Sequence, residues 1–150
     1  MSERKSLKLR LIASHSNYRD VKDMRRNLPS LIASEIIRRK GLIGLNLVSR
    51  FVGSTPDLLI EHIQKGLSLG GNEAISFGGD YYGGIDDALS DELCPGRMKE
   101  PFFNQLKDTS CYPYLVELLR AHFDEDLVQK IAFQNVSRFV KNLSLVSCNE

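Results

Sequence analysis

The residue best placed for chemistry is His15. It closes the stretch Leu7 to Asn17 (LKLRLIASHSN), in which Leu7, Leu9 and Leu11 alternate with Lys8 and Arg10 before Ile12 and Ala13. That pattern predicts a strand whose last residues are buried on both faces, with Ser14 to Asn17 at its transition into a loop. A parallel strand presents its chemistry at the carboxyl end, beside the ligand crevice. An imidazole there suits a zinc ion. Two other groups could share that edge. Arg25-Arg26 follow soon after His15, and a guanidinium there could clamp a carboxylate at two points. Asp80 follows Gly78-Gly79 at the end of another predicted strand. A carboxylate in that place could ligate a metal or act as acid and base. If the two strands lie side by side and parallel, His15 and Asp80 open onto the same edge. Each residue also has a plainer reading: a structural histidine, a surface arginine pair, a turn or capping aspartate.

The remaining candidates read as structural. The glycine-rich GGNEAISFGGD lacks both GxGxxG and GxxxxGK[ST], and no helix start follows promptly, so it is not a nucleotide loop. His62 lies within a helix and His122 at a helix end, as packing or capping residues. Asn135 and Arg138 fit a structural bridge from the last helix to a neighbouring loop. Cys94, Cys111 and Cys148 are odd in number and form no CxxC pair, which predicts free thiols.

Elements to position these groups alternate along the chain. After His15 a short helical turn spans Tyr18 to Met24. A helix over about Ser30 to Lys40 follows, capped by Asn27 or Ser30 with Pro29 in its first turn. It carries Leu31, Ile32, Ile36 and Ile37 on one side and ends at Gly41. Leu42 to Val48 (LIGLNLV) reads as a second buried strand. Ser54 or Thr55 caps a helix from Pro56 to about Leu67, and Glu73 to Phe77 forms a third strand. An irregular segment covers about Tyr81 to Ser110. Two helices close the chain. One runs over Tyr112 to His122 with Leu115, Leu118 and Leu119 on one face. The other follows the acids Asp124-Glu125-Asp126 and carries Leu127, Ile131, Val136, Phe139 and Val140. The tail, residues 144–150, is expected to fray. This alternation predicts an α/β protein with parallel pairing.

At 150 residues the chain fits one domain with a real core. A hydrophobic share of 42% and a charged share of 26% are ordinary for a soluble globular protein. No stretch approaches the ~20 apolar residues that span a bilayer. MSERKSLKLR lacks an apolar signal core, so a cytoplasmic location and no membrane partner are expected. The net charge of +1 conceals a basic first forty residues and an acidic remainder. The basic residues spread over a strand and outer helix faces without interleaved aromatics, so they read as solvated faces and no nucleic-acid partner is expected.

Five stretches in order then converge on one family: LIASHSNYRDVKDMRRNL, GLIGLNLVSRFVG, ISFGGDYYGG, YPYLVELLR and QNVSRFVKNL. Together they resemble the C-terminal half of the zinc-dependent membrane (renal) dipeptidases, from Leu11 to Leu143. The resemblance implies a partial (β/α)8 barrel with parallel strands and flanking helices, from a family with a two-zinc site at the strand carboxyl ends. By it, His15 in SHSN matches a zinc ligand. Arg26, the second arginine of RRN, matches the residue gripping the substrate carboxylate. Asp80 in FGGD matches the acid that handles the proton. The implied reaction is hydrolysis of dipeptides. The family's other ligands, a His-x-Asp pair, a bridging glutamate and a further histidine, lie upstream of the segment matched by Leu7 onward. Its frequent Asp-Phe-Asp-Gly is replaced by Asp80-Tyr81-Tyr82-Gly83, and a whole barrel needs ~250 residues. Activity is therefore expected to require a complementing N-terminal half from another chain. The alternative is an inactive barrel fragment serving as a scaffold or remnant. Open strand edges predict self-association into a homo-oligomer.

Overall fold

Three short parallel strands linked by amphipathic helices frame the computed structural model, which describes residues 10–81 and 101–144. In order these are β1 (Ile12–Ala13), α1 (Ser30–Arg38), β2 (Leu42–Leu45), α2 (Ser49–Val52), α3 (Leu58–Ser68), β3 (Ile75–Phe77), α4 (Tyr112–Arg120), α5 (Glu125–Gln129), a π-helical turn (Lys130–Gln134) and α6 (Asn135–Ser144). The sheet order is β1-β2-β3. Ala13 lies opposite Ile43, which lies opposite Ile75, and Leu45 lies opposite Phe77. The α/β architecture and parallel pairing expected from the alternation hold.

β2 is the inner strand, and all four of its residues are buried. A continuous apolar run suits a strand covered on both faces. The same expectation for the end of β1 fails. Among the described residues β1 pairs along one edge only, and its Ile12 is 55% exposed. Leu7 to Leu9 lie outside the described residues. β2 stops at Leu45 instead of Val48, because Asn46 turns its backbone toward Asn17. β3 starts at Ile75, since Ala74 and Ile75 still close a turn on Gly71.

The helices depart from expectation mainly in their caps and in which face they bury. Pro29 is the N-cap of α1 and gives no side-chain cap. Asn27 is instead buried and donates to Lys22 O and Phe51 O, while Ser30 Oγ donates to Asp20. Ala33 and Ile36 form the inward face of α1, which leaves Leu31 80% exposed. Positions 31 and 33 sit roughly 200° apart on a helix, so burying one exposes the other. Lys40, not Gly41, takes the left-handed backbone after α1, with φ of 55°. Gly41 serves a close approach: a Cβ there would sit 2.1 Å from Leu11 O. Neither Ser54 nor Thr55 caps α3, whose N-cap is Asp57 without a side-chain cap bond. α2 had no signal in the periodicity.

α4 follows the expected span and buries Leu115 and Leu119. Asp124 caps α5 by accepting from Leu127 N. The π turn between α5 and α6 adds a residue to one turn and rotates the following face. Ile131, Asn135 and Phe139 therefore point inward, while Val136 and Val140, expected to face the core, are exposed. The core joins Ile43, Leu45 and Ile75 of the sheet to Leu59 and Ile63 of α3, Leu115 and Leu119 of α4, and Ile131. Most of the expected irregular segment, residues 82–100, lies outside the described residues, as do Cys94, Cys148 and residues 145–150. Asn104–Leu106 and Thr109–Cys111 are short 3-10 turns, and Cys111 is a buried free thiol. Among the described residues no helix is long and apolar enough to cross a membrane.

Candidate active site

Glycines bring the end of β1 across the ends of its neighbours. The Ser14 carbonyl rests directly on Gly44 of β2 and Gly78 after β3. A Cβ at these positions would lie 2.3 Å and 1.9 Å from it. Ser16 N donates to Gly44 O at 2.8 Å, and Gly78 N donates to Leu45 O at 2.9 Å. No side chain could occupy that gap without separating the strands. The chain therefore carries His15 over the sheet toward the residues that follow β3.

Asp80 meets it there. His15 Nε2 lies 3.8 Å from Asp80 Oδ1, and Arg26 Nη2 lies 3.8 Å from Asp80 Oδ2. Asp80 adopts a left-handed backbone with φ of 59°, which aspartate tolerates better than most residues. His15 Nδ1 is 2.7 Å from Ser14 Oγ. Where Nδ1 carries the proton and donates to Ser14, the Nε2 lone pair is free on the side facing Asp80.

Arg26 comes from a turn held at several points. Asn27 N donates to Met24 O, Leu28 N to Asn17 O, and Arg19 N to Leu28 O. The buried Asn27 amide ties this turn to α2 through Phe51 O. The half-exposed Arg26 guanidinium lies 5.4 Å from the centroid of the Phe51 ring. That places it within reach of a cation–π contact. The side chain of Arg25 is exposed, and its carbonyl accepts from the Arg19 guanidinium. The pair thus divides: Arg26 reaches the mouth, and Arg25 braces the turn.

Both 3.8 Å separations exceed hydrogen-bonding distance. Guanidinium and imidazole therefore flank one carboxylate, with hydrogen-bonding capacity left for a third party. That arrangement can bind a carboxylate at Arg26 and exchange a proton or hold a cation between His15 and Asp80.

The periodicity missed the residues behind the mouth. Asn46 Nδ2 donates to Asp80 Oδ2 at 2.9 Å, and Asn46 and Asn17 exchange side-chain-to-backbone bonds at 3.0 and 3.1 Å. The available signal was an asparagine inside the apolar run LIGLNLV, since a buried amide must find partners. His62 is fully buried, as its packing reading expects. Tyr18 N donates to its Nδ1, so the proton sits on Nε2 and is donated to Val52 O at 2.9 Å. Burial lowers its pKa, and the Val52 carbonyl opposes that shift. This imidazole fastens the loop after β1 to α2. Asn135 donates to Asn72 O and Ile75 O, and Arg138 donates to Glu73 O, which is the expected bridge to a neighbouring loop. His122 donates to Leu118 O one turn back.

Among the described residues no group of three or more histidine, cysteine, aspartate or glutamate side chains could hold a metal ion. The His15–Asp80 pair offers two donors, and a catalytic zinc takes three protein ligands. The described residues therefore do not hold such a metal by themselves.

The sequence model of the membrane dipeptidase family, peptidase family M19, matches residues 8–150. Solved structures match over most of this chain. The dipeptidase AC, a metallopeptidase of family M19, has a TM-score of 0.73 at 21% identity, with 89% of this chain and 38% of that chain covered. A Rhodobacter sphaeroides metallopeptidase, liganded with a phosphinate mimic of the dipeptide L-Ala-D-Ala, gives 0.71 at 22%, covering 88% and 36%. An amidohydrolase from Pseudomonas aeruginosa gives 0.72 at 22%, covering 89% and 45%. The chain thus spans about two fifths of these proteins. The likeness is one of fold, and it makes the three parallel strands and their helices a segment of a (β/α)8-type barrel.

Proposed function

The chain belongs to the membrane dipeptidase family, and from that premise we propose that the mouth formed by His15, Arg26 and Asp80 is one side of a metal-dependent dipeptide-hydrolysing site. The observation that carries this is the convergence of three chemically distinct side chains, from three loops, with His15 Nε2 and Arg26 Nη2 each 3.8 Å from the Asp80 carboxylate. Arg26 binds the free carboxylate of a dipeptide through its planar pair of donors. The Phe51 ring supports its guanidinium. Asp80 handles the proton that the departing amine requires. His15 Nε2 would be one ligand of zinc, of which the family's site takes two, and the remaining ligands would have to come from outside the described residues. When bound, the metals supply Lewis-acid activation of the peptide carbonyl. The substrate class fits the residues, since a dipeptide has a carboxylate one residue from the bond to be cut.

The test is hydrolysis of a dipeptide by the purified chain with zinc, alone and mixed with a polypeptide supplying the family's upstream ligands. The chain alone is expected to show no turnover, and the mixture to show it. Asp80→Asn should then lower kcat by ~10²-fold or more. Equal turnover by the Asp80→Asn mixture would overturn the role of Asp80. Turnover by the chain alone that vanishes on His15→Ala would overturn the need for ligands from elsewhere. No turnover in any mixture would favour the inactive scaffold.

A further inference from the structure

We propose that Asn46, at the carboxyl end of β2, is a positioning residue for this site: its side-chain amide holds Asp80 Oδ2 and leaves Oδ1 as the carboxylate oxygen presented to the mouth. The catalytic part of the inference rests on the dipeptidase reading, while the geometry stands apart from it. Asn46 is 1% exposed. Its Nδ2 lies 2.9 Å from Asp80 Oδ2 and 3.5 Å from His15 O. Its Oδ1 accepts from Val48 N at 2.8 Å. Its backbone N donates to Asn17 Oδ1 at 3.0 Å, and its carbonyl accepts from Asn17 Nδ2 at 3.1 Å. One residue therefore contacts the loop after β1, its own turn and the segment after β3.

The orientation of the amide follows from its partners. Val48 N–H is a donor and needs an acceptor, so the Oδ1 end must face it. The Nδ2 end is then directed at Asp80, whose carboxylate accepts. A flipped amide would set a donor against Val48 N–H and an acceptor against the carboxylate. This fixes which Asp80 oxygen is occupied: Oδ2 has the Asn46 bond and is the oxygen near Arg26, while Oδ1 is the oxygen near His15 Nε2. A carboxylate free to rotate would swing its plane away from His15. The hydrogen bond to one oxygen holds that plane, so the other, chemically equivalent oxygen stays on the His15 side. It also tethers the side chain of a residue in the left-handed region.

The test separates positioning from a merely structural clasp by using an isostere. Asn46→Asp keeps an oxygen for Val48 N–H and nearly the same shape, but replaces the Nδ2 donor by a second carboxylate oxygen that repels Asp80. Asn46→Ser, which stays neutral and is too short to reach Asp80, is therefore run beside it and should shift the same resonances. Asn46→Ala removes both functions. In the wild-type chain, a through-hydrogen-bond scalar coupling between Asn46 Nδ2 and the Asp80 carboxyl carbon is expected by nuclear magnetic resonance. In Asn46→Asp, the Asp80 carboxyl, Arg26 guanidinium and His15 ring resonances should shift, while the Val48 amide remains protected from exchange. Asn46→Ala should lose the Val48 protection as well. Absence of the wild-type coupling would overturn the proposal even if neither variant folds. Asn46→Asp with unmoved Asp80, Arg26 and His15 resonances would also overturn it and leave Asn46 as a turn clasp. None of these readouts needs turnover, so failure of the dipeptidase reading and failure of this one give different results.

Discussion

Replacing Gly78 by alanine tests the close approach on which the mouth depends. The new Cβ would lie 1.9 Å from Ser14 O, 3.0 Å from Ser14 C and 3.1 Å from Gly44 C. A carbon and a carbonyl oxygen normally approach to about 3.3 Å, so the strand ends must separate by more than about 1 Å. The obstructing atoms are backbone, so no rotamer change can relieve the clash. Overpacking of this kind costs about 1–3 kcal/mol, and loss of the Ser16 N to Gly44 O bond adds about 1 kcal/mol, for a total of about 2–4 kcal/mol. His15 travels with Ser14, so its distance from Asp80 should rise from 3.8 Å to about 5 Å. Urea unfolding gives the free energy, and an unchanged m-value would show that the unfolded state is unaltered. Gly70→Ala is the control. Its φ is +81° and nothing among the described residues lies within 4 Å of the added Cβ. That change should cost about 1–2 kcal/mol of backbone strain and leave His15 in place. A Gly78→Ala chain within about 0.5 kcal/mol of wild type would refute the reasoning.

Two further substitutions test the supports around the site. His62 has its pKa lowered by burial, so the unfolded chain takes up a proton first as pH falls. Its contribution to stability is full above about pH 6.5 and is lost as pH falls below that value, with a slope of up to about 1.4 kcal/mol per pH unit. His62→Gln, which cannot titrate, should flatten the fall in unfolding free energy below about pH 6.5, and an unchanged slope would contradict this. Asn135→Ala strips the partner from Asn72 O and Ile75 O. It should cost about 1–3 kcal/mol in denaturant unfolding. A neutral effect would mean that the bridge from α6 to β3 is not needed.

The alternation of strands with helices and their parallel pairing were legible because they rest on strong local signals, whereas His15, Arg26 and Asp80 were each weak signals taken alone. LIGLNLV is a continuous apolar run, and such a run has nowhere to go but the inside of a parallel sheet. His15 and Asp80 each follow a strand of one parallel sheet, but their strands are not side by side as the expectation supposed: β2 lies between them. What the sequence did not disclose depends on the partners of each element. Burial of Ala33 in place of Leu31 is decided by the sheet surface that α1 meets. Asn27 looked like a cap, yet it is taken up by two carbonyls from other segments. The π turn at Lys130–Gln134 changes the phase of the last helix by one residue, which no 3.6-residue periodicity can anticipate. Asn46 was visible as a polar residue in an apolar run, but its target, Asp80, is 34 positions away.

Arg26, beside Asp80 and His15, should act as the receptor for the free carboxylate of a dipeptide, and the assignment of the mouth stands or falls on that role. Titrating the labelled chain with a dipeptide, and with the same dipeptide amidated at its C-terminus, tests it most directly by nuclear magnetic resonance. Saturable shifts are expected at Arg26, His15 and Asp80 with a Kd of about 1 mM, near −4 kcal/mol, weakened at least tenfold by amidation and abolished by Arg26→Ala. Equal binding of the free and amidated peptides, or binding that survives Arg26→Ala, would contradict it.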